Sequence, residues 1–262
     1  MAGNMELDEA YQNGAFIAGA AAYPPRWTET AAAFRERGLI EQDVPYGGGA
    51  REVYDLFHPA RLARGLVMFV HGGYWKAFDK SSWSHLAEGA VARGWAVAMP
   101  SYPLAPDVRV SQITASVRAC LVHAAARVPG PIVLVGHSAG GHLVGRMICP
   151  DQRIDGVSDR ITRVMPISPV ADLRPLEQTS MWAELRLDEA EAHSESLVLA
   201  QPSAAQVRVV VGGNERPAFI EQARGLGRAW QAPVEVKLEL HHFDVFDGLA
   251  DPDSAIMASL LG

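Results

Sequence analysis

Five residues, Gly136-His137-Ser138-Ala139-Gly140, stand directly behind the apolar run Pro131-Ile132-Val133-Leu134-Val135. A helix-like stretch follows from Gly141 to Cys149. Strand, sharp turn and helix in that order give a G-x-S-x-G sequence a meaning that the same letters lack in an open loop. Glycine on both sides lets the backbone take a strained turn and lift a serine hydroxyl clear of a sheet. Such a chain must build buried strands with helices packed on them. It also carries a nucleophile in search of a base.

The rest of the chain alternates in the same way. Short apolar runs at residues 66–70, 96–99, 162–167, 207–211 and 234–240 read as strands, with extended pieces between 44 and 57 around the turn Tyr46-Gly47-Gly48-Gly49. Helical patterns fall at 81–93, 111–128, 217–230 and 251–261. Strands apolar on both faces between helices predict an α/β fold, a mostly parallel central sheet flanked by helices. No linker, repeat or composition break divides residues 1–262, so one domain is expected. Residues 1–40 read as an N-terminal helical arm broken at Pro24-Pro25. Residues 171–205 are too many for a simple connection, and are acidic and helix-prone. They read as a small helical lid insertion, with a peripheral decoration as the other reading.

Composition narrows the partners. The chain carries a net charge of −7 with no basic stripe, which argues against nucleic acid. No apolar run reaches the roughly 18 residues that suggest a membrane span. The first ten residues are acidic and lack the order of a signal peptide. Cys120 and Cys149 both fall in helix-like segments and read as reduced core thiols. Together these features predict a cytoplasmic protein acting on a small molecule; a homodimer is compatible with them.

Ser138 is the expected nucleophile. His71-Gly72-Gly73-Tyr74-Trp75 follows its own apolar strand, and glycines there let backbone amides approach a substrate. An acyl-transfer enzyme needs such donors aimed at the tetrahedral oxyanion. Gly73 is the first choice, then Gly72 and Tyr74, joined by Ala139 behind the nucleophile. A base is expected late in the chain, where His241 and His242 stand together; His242 is favoured because a helix-like return begins at Phe243. Glu215 is the only carboxylate in the loop 212–217 and is the expected acid, with Asp172 as rival. Asp244 and Asp247 lie too near His242 in sequence for that role. The order Ser138, Glu215, His242 then matches a nucleophile–acid–base arrangement. His71, His137, His142, His241 and His242 show no zinc-ligand spacing, so no metal and no cofactor are expected.

These residues resemble the kynurenine formamidase (arylformamidase) branch of the α/β-hydrolases, a relative of the hormone-sensitive-lipase-type esterases. The resemblance rests on His71 to Trp75 and on Gly136 to Leu143. It extends through Tyr46-Gly47, Val53-Tyr54-Asp55-Leu56, Ile167-Ser168-Pro169-Val170-Ala171-Asp172-Leu173 with Thr179-Ser180, Val209-Val210-Val211-Gly212, and His242-Phe243-Asp244. It implies the α/β-hydrolase fold and a cofactor-independent serine hydrolase with Ser138, Glu215 and His242 in the roles above. The implied reaction is N-formylkynurenine to kynurenine and formate, a step of tryptophan catabolism. Tyr74, Trp75 and Trp182 are the aromatic residues that would suit a flat aromatic leaving group, with core or lid packing as the equal reading of each. The family usually carries aspartate where Glu215 stands, and often an asparagine near Met181-Trp182. A short-acyl carboxylesterase or thioesterase is the alternative. A non-catalytic, ligand-binding member of the fold is a third reading, which Ser138→Ala would separate.

Overall fold

A strand that is apolar at every position must be covered on both faces. In the computed structural model, which describes residues 5–203 and 205–262, the strands are β1 Leu39–Pro45, β2 Val53–His58, β3 Leu66–Val70, β4 Ala96–Pro100, β5 Ile132–His137, β6 Ile161–Ile167, β7 Gln206–Val207, β8 Val209–Gly212 and β9 Val234–Lys237. The helices are α1 Met5–Ala10, α2 Tyr23–Arg37, α3 Glu88–Ala92, α4 Val110–Arg127, α5 Ala139–Arg146, α6 Met181–Glu184, α7 Glu189–Glu195, α8 Pro217–Trp230 and α9 Ala255–Leu261. Hydrogen-bonded strands run in the order β1-β2-β4-β3-β5-β6-β8-β9, with β7 also on β6. Pairing is antiparallel for β1–β2 and β2–β4 and parallel from β4 to β9.

The two faces separate by alternation. Leu66, Met68 and Val70 of β3 join one core with α4, α5 and α8, while Val67 and Phe69 join the other with α2, α3 and α9. Burying both sets is the main favourable term holding the three layers together.

Several predicted elements differ in detail. The helix expected over 81–93 is two short 3-10 turns, Lys80–Ser82 and Ser84–Ala87, leading into α3. The strand expected over 207–211 breaks at Arg208, whose amide bonds back to Val164 O at 3.1 Å. The strand expected over 234–240 ends at Lys237, where Leu240 N turns back onto Lys237 O. The arm ends one residue before β1, an edge strand of mixed polarity with no fully buried residue.

Residues 171–205, described except for residue 204, hold α6 and α7. They are tied down through acids. Glu191 accepts from Arg109 Nε at 2.9 Å and from Ser111 N at 2.9 Å, and Glu195 accepts from Thr114 Oγ1 at 2.7 Å. These bonds fasten α7 to α4.

All parallel strands point their carboxyl ends one way. The loops after β3, β5, β8 and β9 therefore meet along one edge, where α/β sheets place their ligands.

Candidate active site

The turn after β5 is tight because nothing else fits there. A Cβ on Gly140 would lie 1.9 Å from Val70 O, and one on Gly136 would lie 2.2 Å from Gly140 O. With glycine at both positions, α5 starts directly against β3 and β5. Ser138 between them takes φ 56° and ψ −118°, a conformation that costs a non-glycine residue roughly 1–3 kcal/mol. Its amide donates to Ile167 O at 2.8 Å, and its carbonyl accepts from His142 N at 3.1 Å. The strain is thus held by β6 on one side and α5 on the other.

His242 follows β9 and Glu215 follows β8. Glu215 Oε2 lies 2.6 Å from His242 Nδ1. Its Oε1 accepts from Gly212 N at 2.8 Å and from the hydroxyl of Ser168. Burial alone would raise this carboxyl, but the His242 imidazole and these donors together hold it below the ordinary carboxylate range. A carboxylate fixed in this way keeps the imidazole in one tautomer, with Nδ1–H toward Glu215 and Nε2 free to accept a proton.

Ser138 and His242 line one cavity of about 130 Å³. Its walls are apolar and aromatic: Trp27, Phe78, Trp83 and Phe243, with Asn13 and Pro24. Gly72, Gly73 and Tyr74 form the side next to Ser138. A Cβ on Gly72 would lie 2.9 Å from His137 O and 3.0 Å from Ser138 Cβ, so the loop approaches the turn and the serine side chain closely. Gly73 has φ 113° and Tyr74 φ 51°. Among the described residues, the amides of Gly72, Gly73, Tyr74 and Ala139 donate to no backbone or side-chain acceptor. Amides left unpaired in so buried a region are poised for a ligand oxygen.

The profile of the α/β hydrolase fold matches residues 67–199. A kynurenine formamidase of Salmo salar is 30% identical over 247 residues, 87% of this chain and 83% of its own length. This chain belongs to the α/β-hydrolase family. Among solved structures, a protein of Silicibacter sp. TM1040 provisionally assigned as a thioesterase is 52% identical at TM-score 0.97, covering 99% of this chain and 100% of that one. Esterase B of Lactobacillus rhamnosis shares the fold at 21% identity and TM-score 0.67, over 91% of this chain and 90% of its own. As an α/β-hydrolase close in sequence to the formamidases, the chain is a hydrolase.

Other expected residues lie elsewhere in this α/β-hydrolase. Trp75 is fully buried and does not line the cavity; its φ of 57° turns it beneath α5, edge-on to His142 at 5.2 Å. Trp182 is half-buried against the main core and also misses the cavity. No described residue of 171–205 lines it either, whereas Asn13, Gly14, Pro24 and Trp27 of the arm do. His241 is occupied by Tyr23 Oη at 3.0 Å and by Phe243 N at 3.1 Å. The rival acid Asp172 pairs with Arg174 Nη2 at 2.7 Å, Asp244 accepts from His241 N, and Asp247 faces Arg26.

Ser168 carries no sequence signal of its own role. It sits just beyond β6 with φ 47° and is fully buried, which aims its hydroxyl at Glu215. His137 also lines the cavity, with its ring 4.5 Å from that of His242. Burial, with the neighbouring His242, holds the His137 imidazole well below its ordinary range, so it stays neutral. Cys120 and Cys149 are free, buried thiols. Among the described residues, no helix is long and apolar enough to cross a membrane.

Proposed function

We propose that this protein is a cofactor-independent serine hydrolase that removes a small acyl group, formyl first of all, from an aryl amine. Ser138 is the nucleophile, His242 the base and Glu215 the acid of the proposal. The observation that carries it is the 2.6 Å Glu215–His242 contact, with His242 and a strained Ser138 on one aromatic cavity.

In the reaction His242 Nε2 takes the Ser138 proton as Oγ bonds to the acyl carbon. The carbonyl oxygen, now negative, is met by the amides of Gly73, Tyr74 and Ala139, with Gly72 beside them. As the carbonyl re-forms, the carbon–nitrogen bond breaks and His242 hands its proton to the leaving amine. Water then repeats the sequence on the acyl-serine and releases formate. Throughout, Glu215 stabilises the imidazolium.

The aromatic walls and the size of the cavity favour this substrate. An apolar cavity of about 150 Å³ takes a benzene ring. The space beside Ser138 is of that order, which suits a flat ring, while formyl needs no acyl pocket. The kynurenine formamidase name of the Salmo salar relative points the same way. The second reading, a short-acyl esterase or thioesterase, draws on the Silicibacter neighbour and uses the same groups.

Turnover of N-formylkynurenine against p-nitrophenyl acetate and a short acyl thioester separates the two. Formamide cleavage in excess supports the proposal; negligible formamide cleavage beside fast ester or thioester cleavage overturns it. A cytoplasmic site of action belongs to the same proposal, supported by the free, buried thiols Cys120 and Cys149 and tested by fractionation; a homodimer is its companion, tested by mass in solution.

A further inference from the structure

A glutamate has one more side-chain torsion than an aspartate, and its terminal torsion is broad and roughly two-fold. Nothing in Glu215 itself therefore aims one particular oxygen at His242. Three contacts do so. Oε2 lies 2.6 Å from His242 Nδ1, while Oε1 accepts from Gly212 N at 2.8 Å and from the hydroxyl of Ser168. The side chain meets the first of those donors by folding back over the end of β8, where a Cβ on Gly212 would lie 3.1 Å from Glu215 Cγ. Ser168 comes from a different strand, as the residue just after β6. It is fully buried with φ 47°, and its amide donates to Val210 O at 2.7 Å. Among the described residues its hydroxyl has Glu215 as its one hydrogen-bond partner, so its proton goes to Oε1. The residue before it, Ile167, accepts from Ser138 N at 2.8 Å. The end of β6 thus touches Ser138 through one residue and Glu215 through the next.

We propose that Ser168 is a positioning residue for the acid: its hydroxyl fixes the carboxylate plane of Glu215 so that Oε2 faces His242 Nδ1. This rests on the hydrolase reading above and adds a fourth residue to it. A neutral donor suits the task, because it orients the carboxylate without cancelling the charge that the imidazolium needs. Without it Oε1 keeps only the Gly212 amide, and rotation about the terminal torsion takes Oε2 away from Nδ1. The strained φ of Ser168 is held by the bond to Val210 O, so the hydroxyl is delivered by the sheet rather than by a loop. Through Ile167 and Ser168 the same strand end sets the spacing between Ser138 and the acid.

The test is a double-substitution cycle read in kcat on N-formylkynurenine and p-nitrophenyl acetate. Ser168→Ala alone is expected to lower kcat by roughly ten- to a hundredfold, as for the loss of one hydrogen bond to a charged group, with KM changed by less than about twofold. In a Glu215→Gln background the same change is expected to lower kcat no further, since no carboxylate is left to aim. Ser168→Cys, with a thiol that donates weakly, should fall between serine and alanine, and it carries the cycle if Ser168→Ala does not fold. The proton resonance of His242 Nδ1–H reads the same contact without turnover and should shift in Ser168→Ala. A serine that served only the fold would lower kcat by one factor in both backgrounds. That result, or an unshifted Nδ1–H resonance, overturns the proposal. Absence of turnover of either substrate by the wild-type protein overturns the hydrolase reading instead, and the resonance then decides the role of Ser168.

Discussion

Ser138, Glu215 and His242 ride on the carboxyl ends of β5, β8 and β9, whereas Asn13, Pro24 and Trp27 reach the same cavity from an arm that gives no strand to the sheet. The strand-borne side is fixed through the backbone of the sheet. Ser138 N bonds to β6, Ser168 N bonds to Val210 of β8, and Glu215 Oε1 bonds to Gly212. The arm is fixed by side chains. Tyr11 Oη accepts from Gln222 Nε2 at 2.9 Å, Trp27 packs on Trp83 with centroids 4.8 Å apart, and Tyr74 donates to Tyr11 O. The groups proposed to react need the rigidity of a sheet. A wall that must admit substrate can hang on a few side-chain contacts, which open at lower free energy than core strands do.

Substitutions on the two sides should therefore report differently, the strand-borne ones in kcat and the arm ones in KM and melting temperature. The largest separation lies within one dipeptide. His242→Gln is expected to cut kcat by roughly 10³-fold or more, and His241→Gln by less than about tenfold, with the melting temperature lowered through the lost Tyr23 contact. Comparable activity losses in steady-state assays of both variants would break the comparison. Glu215→Gln should lower kcat by about 10²–10⁴-fold, because an amide no longer stabilises the imidazolium. Glu215→Asp tests reach: the shorter side chain should recover part of that loss.

On the arm, Trp27→Ala removes a buried ring and should cost about 3–5 kcal/mol in denaturant unfolding, with KM rising more than kcat falls. The core histidines set an acid limit. Burial holds His71 and His85 down at about 4 and His142 at about 3, against 6.5 when unfolded. Below pH 6.5 the unfolded chain binds protons that the folded one refuses, so stability falls as the pH drops toward 4. At pH 5 the loss is roughly 2 kcal/mol per imidazole, read as a lower melting temperature than at pH 7. The smallest effect is Tyr11→Phe, about 1 kcal/mol, which frees Gln222 Nε2 from one acceptor and loosens the arm. A kcat change larger than the KM change in that variant would erase the distinction between the two sides.

The same contrast separates what was legible in the sequence from what was not. The elbow occupies contiguous residues whose glycines have no substitute, and the strand before it is apolar throughout, so Ser138 could be read directly. Glu215 and His242 followed from the loops after two later strands. Trp75 and Trp182 lie away from the cavity because sequence shows an aromatic residue near a motif but not its direction: a φ of 57° turns Trp75 inward, and Trp182 packs from α6 against the main core. Asn13 and Trp27 lie more than 100 residues from Ser138, in a segment that reads only as irregular helix. Residues 171–205 look like an insertion over the site, yet their buried acids, Glu191 and Glu195, hold them to α4.

The most direct test of the central claim is covalent labelling. Phenylmethanesulfonyl fluoride on the native protein, followed by peptide mass mapping and an activity assay, should place one sulfonyl group on Ser138, with activity falling in proportion to its occupancy. A label on another residue, or full activity in protein labelled at Ser138, would contradict the account.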